Sequence, residues 1–327
     1  MNRHVYGPVP SRRLGRSLGV SLVPPKTCTY SCVYCQLGRT TLQTVERRRY
    51  FPPGEILAEV SEALDATARV DHVTLVGDGE PSLSKDLGLL IGQIGGRSDV
   101  PVAVVTNGSM LHDRQVREEM MAADRVLPTL ATAEPEVWQR MHRPHRDLDL
   151  SKVVQGLLEF SQDYEGDLWV EVMLVQGLNH DEASLVALGE LLQRIGPDRL
   201  DLLVPTRPPA ESWVKAPDPA RVLRAMEVLG VPEALAMEFD GPFSVSNHSS
   251  GREALMAIGS RHPLREEDAE EICRLLDDGG AVAGMVEEGQ LVRVDYREEV
   301  FLMPRHLVKI DNDEAISRRK NDDRSRS

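Results

Sequence analysis

The stretch SLGVSLVPPKTCTYSCVYCQLG, residues 17–38, joins an apolar run to a polar loop that carries three of the chain's four cysteines. The run, Ser17 to Val23, reads as a strand, and the two prolines after it end the strand and open the loop. Cys28, Cys32 and Cys35 then follow at the spacing C-x3-C-x2-C. Thiolates so placed reach three corners of one small inorganic cubane, whereas a structural zinc wants four protein ligands. The fourth cysteine, Cys273, lies far along the chain and reads as an ordinary, partly buried thiol. An incomplete ligand set leaves one metal position open to a substrate or cosubstrate.

Five more runs resemble the first: DHVTLV (71–76), PVAVVT (101–106), RVLPTL (125–130), DLWVEVMLV (167–175) and RLDLLVP (199–205). Between them, apolar residues recur at helical spacing, as in Ile56, Leu57, Val60, Ala63 and Leu64, or Leu87, Leu90, Ile91 and Ile94. Strands alternating with helices call for parallel βαβ units. The polar signatures all follow strand ends: the cysteine loop, GDGEP, TNG, TLAT, QGLNH and PTRPP. Six strand ends converging on one pocket describe an α/β protein built as a partial (β/α)6 TIM-type barrel, with its site at the C-terminal edge.

The chain has 327 residues, 41% hydrophobic and 28% charged, enough for one large domain and a small appendix. Its start lacks the apolar core of a signal peptide, and no apolar stretch approaches the roughly 20 residues that span a bilayer. A cytoplasmic protein with no membrane partner is expected, its clustered thiols serving metal or redox chemistry. The net charge of -14 is unevenly spread. Residues 1–50 hold nine cations (Arg3, Arg12, Arg13, Arg16, Lys26, Arg39, Arg47, Arg48, Arg49) and one acid (Glu46), a net +8, so the other 277 residues sum to -22. A basic rim around the cysteines suits an anionic substrate, and solvated arginines without a ligand give the same pattern.

After the sixth unit, EFDGPFSVSNHSSG reads as a linker. Residues 246–310 then give short helices and two strands, Gln290 to Val294 and Val300 to Met303, meeting at a charged turn. That order resembles a small α+β winged-helix module. From 251 to 310, eight Arg and Lys stand against thirteen acids, a net -5 that disfavours DNA. The division expected is therefore 1–245, 246–310 and a disordered tail, 311–327.

With Tyr34 before its last cysteine, the C-x3-C-x2-C loop resembles the hallmark of the radical S-adenosylmethionine (radical SAM) superfamily. The likeness covers about residues 5 to 245. It implies that Cys28, Cys32 and Cys35 hold a 4Fe-4S cluster and that S-adenosylmethionine (SAM) chelates the fourth iron. One electron, delivered by a reducing donor, then cleaves SAM to methionine and a 5'-deoxyadenosyl radical that abstracts hydrogen from substrate. GDGEP is similar to the family's glycine-glycine-glutamate motif, which implies SAM contacts from Gly77, Asp78, Gly79 and Glu80. By the same likeness Tyr34, Thr106, Asn107, Thr129 and Thr132 belong to the cofactor's surroundings.

Arg12, Arg13 and Arg16, beside the first strand, are the candidates for substrate phosphates or carboxylates, joined by His142, Arg143, His145 and Arg207 near the mouth. Within the superfamily the N-terminal stretch resembles the branch with the wyosine-forming tRNA enzymes, although the cysteines of their second cluster are missing here. RNA or a nucleotide is the substrate class this suggests. A peptide or protein substrate, or a noncatalytic metal-binding scaffold, are the alternatives.

Overall fold

In a computed structural model the chain is described at residues 4–11, 13–67, 69–231, 243, 245 and 248–308. It divides into two compact units, Met1–His248 and Ser249–Ser327. The first is built on seven strands: β1 Val5–Ser11, β2 Gly15–Val20, β3 His72–Leu75, β4 Val102–Thr106, β5 Arg125–Pro128, β6 Asp167–Met173 and β7 Arg199–Leu203. They lie side by side in chain order, with β1 and β7 at the edges, in a curled half-barrel sheet. Helices connect the strands: α1 Pro53–Ala66, α2 Leu87–Gly95, α3 Arg114–Met120, α4 Pro135–His142, α5 Leu150–Asp163 and α6 Glu182–Ile195, with α7 Pro219–Leu229 after the last.

The six expected strands are all present and run parallel. A seventh, β1, pairs antiparallel with β2. Its sequence, VYGPVPS, hides the strand because Gly7, Pro8 and Pro10 interrupt the β-pattern. Prolines are tolerated on this strand because an edge leaves N–H groups without a ladder partner to satisfy.

The parallel strands are buried on both faces, as all four residues of β3 show. On the outer face Val73, Leu75, Val104, Val126, Val170 and Leu202 pack under Val60, Leu90, Ile91, Val116, Leu157 and Leu188 of the helices. Each such side chain contributes about 1.5–3 kcal/mol by leaving water. The inner face carries a second, smaller cluster of Leu14, Ala103 and Leu127, with Val105 and Trp169 against it. The Trp169 ring lies between the Arg125 and Arg199 guanidinium groups, 4.4 and 4.6 Å from its centroid. Arg125, Trp169 and Arg199 stand at the starts of their strands, and Leu14 lies in the β1–β2 turn at the same end. The barrel's interior is therefore filled at its N-terminal end, which leaves the C-terminal edge for the loops.

The second unit comprises α8 Gly251–Gly259, β8 Leu264–Arg265, α9 Glu266–Leu275, α10 Ala281–Glu287, β9 Leu291–Tyr296 and β10 Glu299–Pro304. Its antiparallel sheet has the order β8-β10-β9, the two expected strands with one short strand added. Arg297 and Glu298, both at positive φ, form the charged turn between β9 and β10. Cys273 is 1% exposed in this unit's core. Several of its surface charges are paired: Arg252 with Glu288, Arg265 with Glu299, Arg293 with Glu266. Most of the expected linker and the expected tail lie outside the described residues. Among the described residues no helix is long and apolar enough to cross a membrane.

Candidate active site at the cysteine loop

The cysteine loop leaves β2 at the C-terminal edge of the sheet and is held there by backbone on both sides. Thr27 and Cys28 pair in parallel with Leu42 and Gln43. Thr27 also bridges Gly79, its carbonyl accepting from the Glu80 N–H at 3.0 Å, while the Lys26 N–H donates to the Asp78 carbonyl at 2.5 Å. On the far side the end of α4 takes over, with Ser31 N–H donating to the His142 carbonyl and Val33 N–H to the Met141 carbonyl, both at 2.9 Å. His145 N–H reaches the Thr29 carbonyl at 2.8 Å. The loop's outer side is fastened by Glu211, whose N–H donates to the Val33 carbonyl at 3.1 Å. The Glu211 carboxylate accepts from Arg39 at 2.6 and 3.0 Å and from Arg143 at 2.7 Å.

This framework gives the GDGEP glycines a definite task. A Cβ at Gly79 would overlap the Thr27 carbonyl oxygen, so the missing side chain admits the cysteine loop's own backbone. Gly77 has φ +119° and sits where a Cβ would come within 2.5 Å of Ser21 Oγ. The carbonyl that the absent Gly79 side chain admits is thus the protein's own.

The three thiols are half-buried. Cys28 Sγ accepts from Tyr30 N–H and from Asn107 Nδ2, each at 3.5 Å. Cys32 Sγ stands 3.4 Å from His142 Nδ1, which is 3.3 Å from Tyr34 Oη. Loss of water pushes the Cys28 thiol up to about 12, with the Glu80 and Cys35 charges adding to it. Cys32 is pushed up by burial and then by Cys28 and Cys35. Cys35 is raised by burial, opposed by the Leu37 backbone and the Lys26 ammonium. The three sulfurs therefore feel one another's charge, and without a cation they stay protonated. A metal centre is what makes such a set ionise.

Among the described residues no three His, Cys, Asp or Glu side chains surround a point where a single ion would sit. Three cysteine thiols on one loop are a donor set that fits a cubane.

Glu80 is 2% exposed and its carboxylate is fully engaged. Oε1 accepts from Ser82 N–H at 3.1 Å and from the Ser82 and Thr106 hydroxyls at 2.6 Å each; Oε2 accepts from Asn107 N–H at 2.8 Å. Burial raises its pKa and these bonds oppose the rise. Glu80 thus ties the end of β3 to the end of β4. Asn107 carries the tie onward, its Nδ2 donating to Thr29 Oγ1 at 2.8 Å as well as to Cys28. Thr106 spends its remaining capacity on Gly108 N–H at 3.1 Å. Thr132 Oγ1 accepts from Glu134 N–H at 3.0 Å before α4, and Thr129 bridges Glu171 at the neighbouring strand. All these strand-end residues share the edge that carries the cysteines.

Among the described residues, the arginines expected to form a basic rim are engaged with carboxylates. Arg16 precedes the body of β2 and Asp71 the start of β3, where they make a bidentate pair at 3.1 and 3.0 Å. Arg13 pairs with the buried Glu171 carboxylate. The Arg16–Asp71 pair therefore lies at the N-terminal end of the sheet, whereas Arg13 reaches Glu171, level with Thr129 at the end of β5, and Arg12 lies outside the described residues. The other described arginines of the first fifty residues are matched as well: Arg39 with Glu211, Arg47 with Glu119, Arg48 with Glu46, Arg49 with Asp86. Charges segregated along the chain meet their partners in space.

His142 is likewise not at the mouth. It is 2% exposed beneath the loop, and burial lowers its pKa to about 3, so its ring is neutral. Arg143 closes α4 at φ 44° with its guanidinium on Glu211; His145 is 3.6 Å from Asp147; Arg207 is half-buried just past β7.

Three contributors escaped sequence reasoning. Glu211 and Trp138 offer no motif; the Trp138 indole donates to Tyr30 Oη at 3.3 Å. Asn179, in QGLNH, accepts from Val175 N–H at 2.9 Å and donates to the Ala131 and Met173 carbonyls at 2.8 Å each, joining the ends of β5 and β6. An asparagine after a strand was the available signal.

The Radical SAM superfamily model matches residues 22–188. A UPF0026 protein of Methanocaldococcus jannaschii is 34% identical over 306 residues, 91% of this chain and 95% of that one. A UPF0026 protein of Synechocystis is 38% identical over 205 residues, 62% of this chain and 76% of that one. The crystal structure of a radical SAM methyltransferase from Sphaerobacter thermophilus, 17% identical, superposes with a TM-score of 0.51 over 68% of this chain and 65% of its own, a likeness of fold. Since the match runs from the cysteine loop through the parallel strands that frame it, the chain belongs to the radical SAM superfamily, whose enzymes use a 4Fe-4S cluster and S-adenosylmethionine.

Proposed function

We propose that Cys28, Cys32 and Cys35 hold the 4Fe-4S cluster and that the enzyme acts on a small anionic substrate, such as a nucleotide. When bound, the cluster supplies the electron that splits SAM into methionine and a hydrogen-abstracting 5'-deoxyadenosyl radical. The single observation that carries this reading is the convergence of three half-buried thiols, within reach of one another's charge, at the strand-end edge that bears Glu80, Thr106 and Asn107.

Around them the chain's own residues orient and exclude water. Tyr30, Trp138, Leu148, Leu150 and Val153 pack behind Cys28 and Cys32. Val33, Met141, Val175, Leu178 and Val214 pack beside Tyr34. Such apolar walls keep the sulfurs in a low dielectric and shield a radical from solvent. The Gly77–Glu80 turn, Asn107, Thr129 and Thr132 form the polar edge that SAM would lie along.

For the substrate, the arginines to consider are those at this edge: Arg207 past β7 and Arg146, which is 89% exposed and only loosely paired with Asp147 at 3.7 Å, in the turn that His145 fixes to the loop. They favour a small anion over a polynucleotide, because the described N-terminal arginines are engaged with carboxylates. A tRNA substrate, in the manner of the wyosine-forming enzymes, would need a broader basic face. An external reductant completes the reaction. Anaerobic reconstitution with iron and sulfide, then assay of 5'-deoxyadenosine with and without candidate nucleotides, tests the reading. Nucleotide-dependent release supports it, and a protein that takes up zinc but no iron–sulfur centre contradicts it.

A further inference from the structure

We propose that two side-chain donors, His142 on Cys32 and Asn107 on Cys28, set the reduction potential of the cluster. The inference rests on the reading that these cysteines hold one. His142 is the last residue of α4, and its backbone carbonyl and its ring both engage the loop, the carbonyl through Ser31 N–H at 2.9 Å and Nδ1 at 3.4 Å from Cys32 Sγ. Its ring is wedged between Tyr30 and Tyr34, with centroids 5.3 and 5.7 Å away. A metal-bound sulfur is a thiolate and can only accept, so the ring proton that serves it sits on Nδ1. The one Nδ1 proton goes to sulfur, and Tyr34 Oη, 3.3 Å from the same nitrogen, donates its own proton to Cys32 as well.

Asn107 is oriented as firmly. Its Oδ1 accepts from Ser109 N–H at 2.9 Å, which fixes which end of the amide is oxygen. Its NH2 therefore faces Cys28 Sγ at 3.5 Å and Thr29 Oγ1 at 2.8 Å. The backbone donor on Cys28, Tyr30 N–H, comes with the path of the loop; His142 and Asn107 are choices of side chain.

Reducing the cluster adds negative charge that spreads onto its thiolate sulfurs. An N–H aimed at such a sulfur stabilises the reduced state more than the oxidised one and so raises the potential. Both donors lie behind apolar walls, where the effect of each is larger than in water. This role replaces the substrate contact that the sequence suggested for His142.

The test is a redox titration of the full-length, anaerobically reconstituted protein, following the reduced cluster by electron paramagnetic resonance, for wild type, His142→Phe, His142→Gln and Asn107→Leu. Phenylalanine keeps a ring between the tyrosines and removes the N–H, whereas glutamine keeps a donor. At a fixed poise the ratio of reduced to oxidised cluster is expected to fall about threefold or more in His142→Phe, or about 28 mV at 59 mV per decade for one electron. His142→Gln should recover most of that loss, and Asn107→Leu should show a fall of its own. A His142→Phe protein with full iron and sulfide and an unchanged ratio overturns the proposal. Should that variant fail to load, an unchanged ratio in Asn107→Leu overturns it equally. A wild-type protein that forms no thiolate-ligated cluster defeats instead the reading on which the inference rests.

Discussion

The Glu80 carboxylate accepts the Thr106 hydroxyl at 2.6 Å across the ends of two neighbouring strands, and its other oxygen takes the next backbone N–H, that of Asn107. One buried acid thus aligns the residue that in turn reaches Cys28. Glu80→Ala leaves the Thr106 hydroxyl, Asn107 N–H and Ser82 without their acceptor. At about 1–3 kcal/mol for a buried unsatisfied group, and with partial rescue by water, a loss of roughly 2–4 kcal/mol is expected, read as a lower urea midpoint. A variant as stable as wild type would show that Glu80 does not tie the strand ends.

Gly79→Ala is expected to cost cluster loading. Its Cβ would overlap the Thr27 carbonyl, and only backbone movement of the cysteine strand relieves that. Gly54→Ala is the control: nothing stands within 4 Å of its Cβ, it lies in α1, and alanine there should add about 0.5–1 kcal/mol. The measurement is iron per chain after reconstitution. Equal iron in both variants would contradict the packing of GDGEP against the loop.

Glu211→Ala releases Arg39 and Arg143, whose side chains are 52% and 37% exposed and can return to water. The cost to global stability is therefore modest, about 1 kcal/mol. The loop loses its outer fastening, so ferrous chelators should strip iron from the variant several-fold faster than from wild type. An unchanged rate would remove Glu211 from the site.

Arg16 holds the Asp71 carboxyl down at about 2 through hydrogen bonds and charge. A group whose folded pKa is depressed contributes stability above its unfolded value, near 3.8, and loses it as pH falls toward the folded one. Asp71→Asn should thus lower the urea midpoint slightly at pH 5, and the gap to wild type should narrow by pH 3. The pair is about a third exposed, so the effect stays below about 1 kcal/mol. A gap that widens toward pH 3 would contradict the assignment.

Much of this architecture was legible because it is periodic. Six strands and their helices announce themselves in runs such as DHVTLV and in the spacing of Leu87, Leu90, Ile91 and Ile94, since burial on both faces of a parallel sheet demands such residues. The cysteine loop was legible because ligand spacing is local. β1 was not, because its prolines are permitted only by the edge position that the fold creates. The fate of the arginines was illegible for a related reason: Arg13 meets Glu171, Arg39 meets Glu211 and Arg47 meets Glu119 across more than seventy residues each. Such pairings follow from the folded sheet, and composition alone reads them as a free basic rim. His142 was likewise assigned to the mouth because its neighbours Arg143, His145 and Arg146 are polar, yet as the last residue of α4 it turns inward.

The most direct test of the account is 5'-deoxyadenosine release by anaerobically reconstituted wild type and Cys32→Ala, with iron and sulfide counted on the same samples. Wild type should hold about four irons per chain and cleave SAM, and Cys32→Ala should keep its far-ultraviolet circular dichroism while losing the cleavage. Normal 5'-deoxyadenosine release from Cys32→Ala, or a zinc-filled centre in wild type, would contradict it.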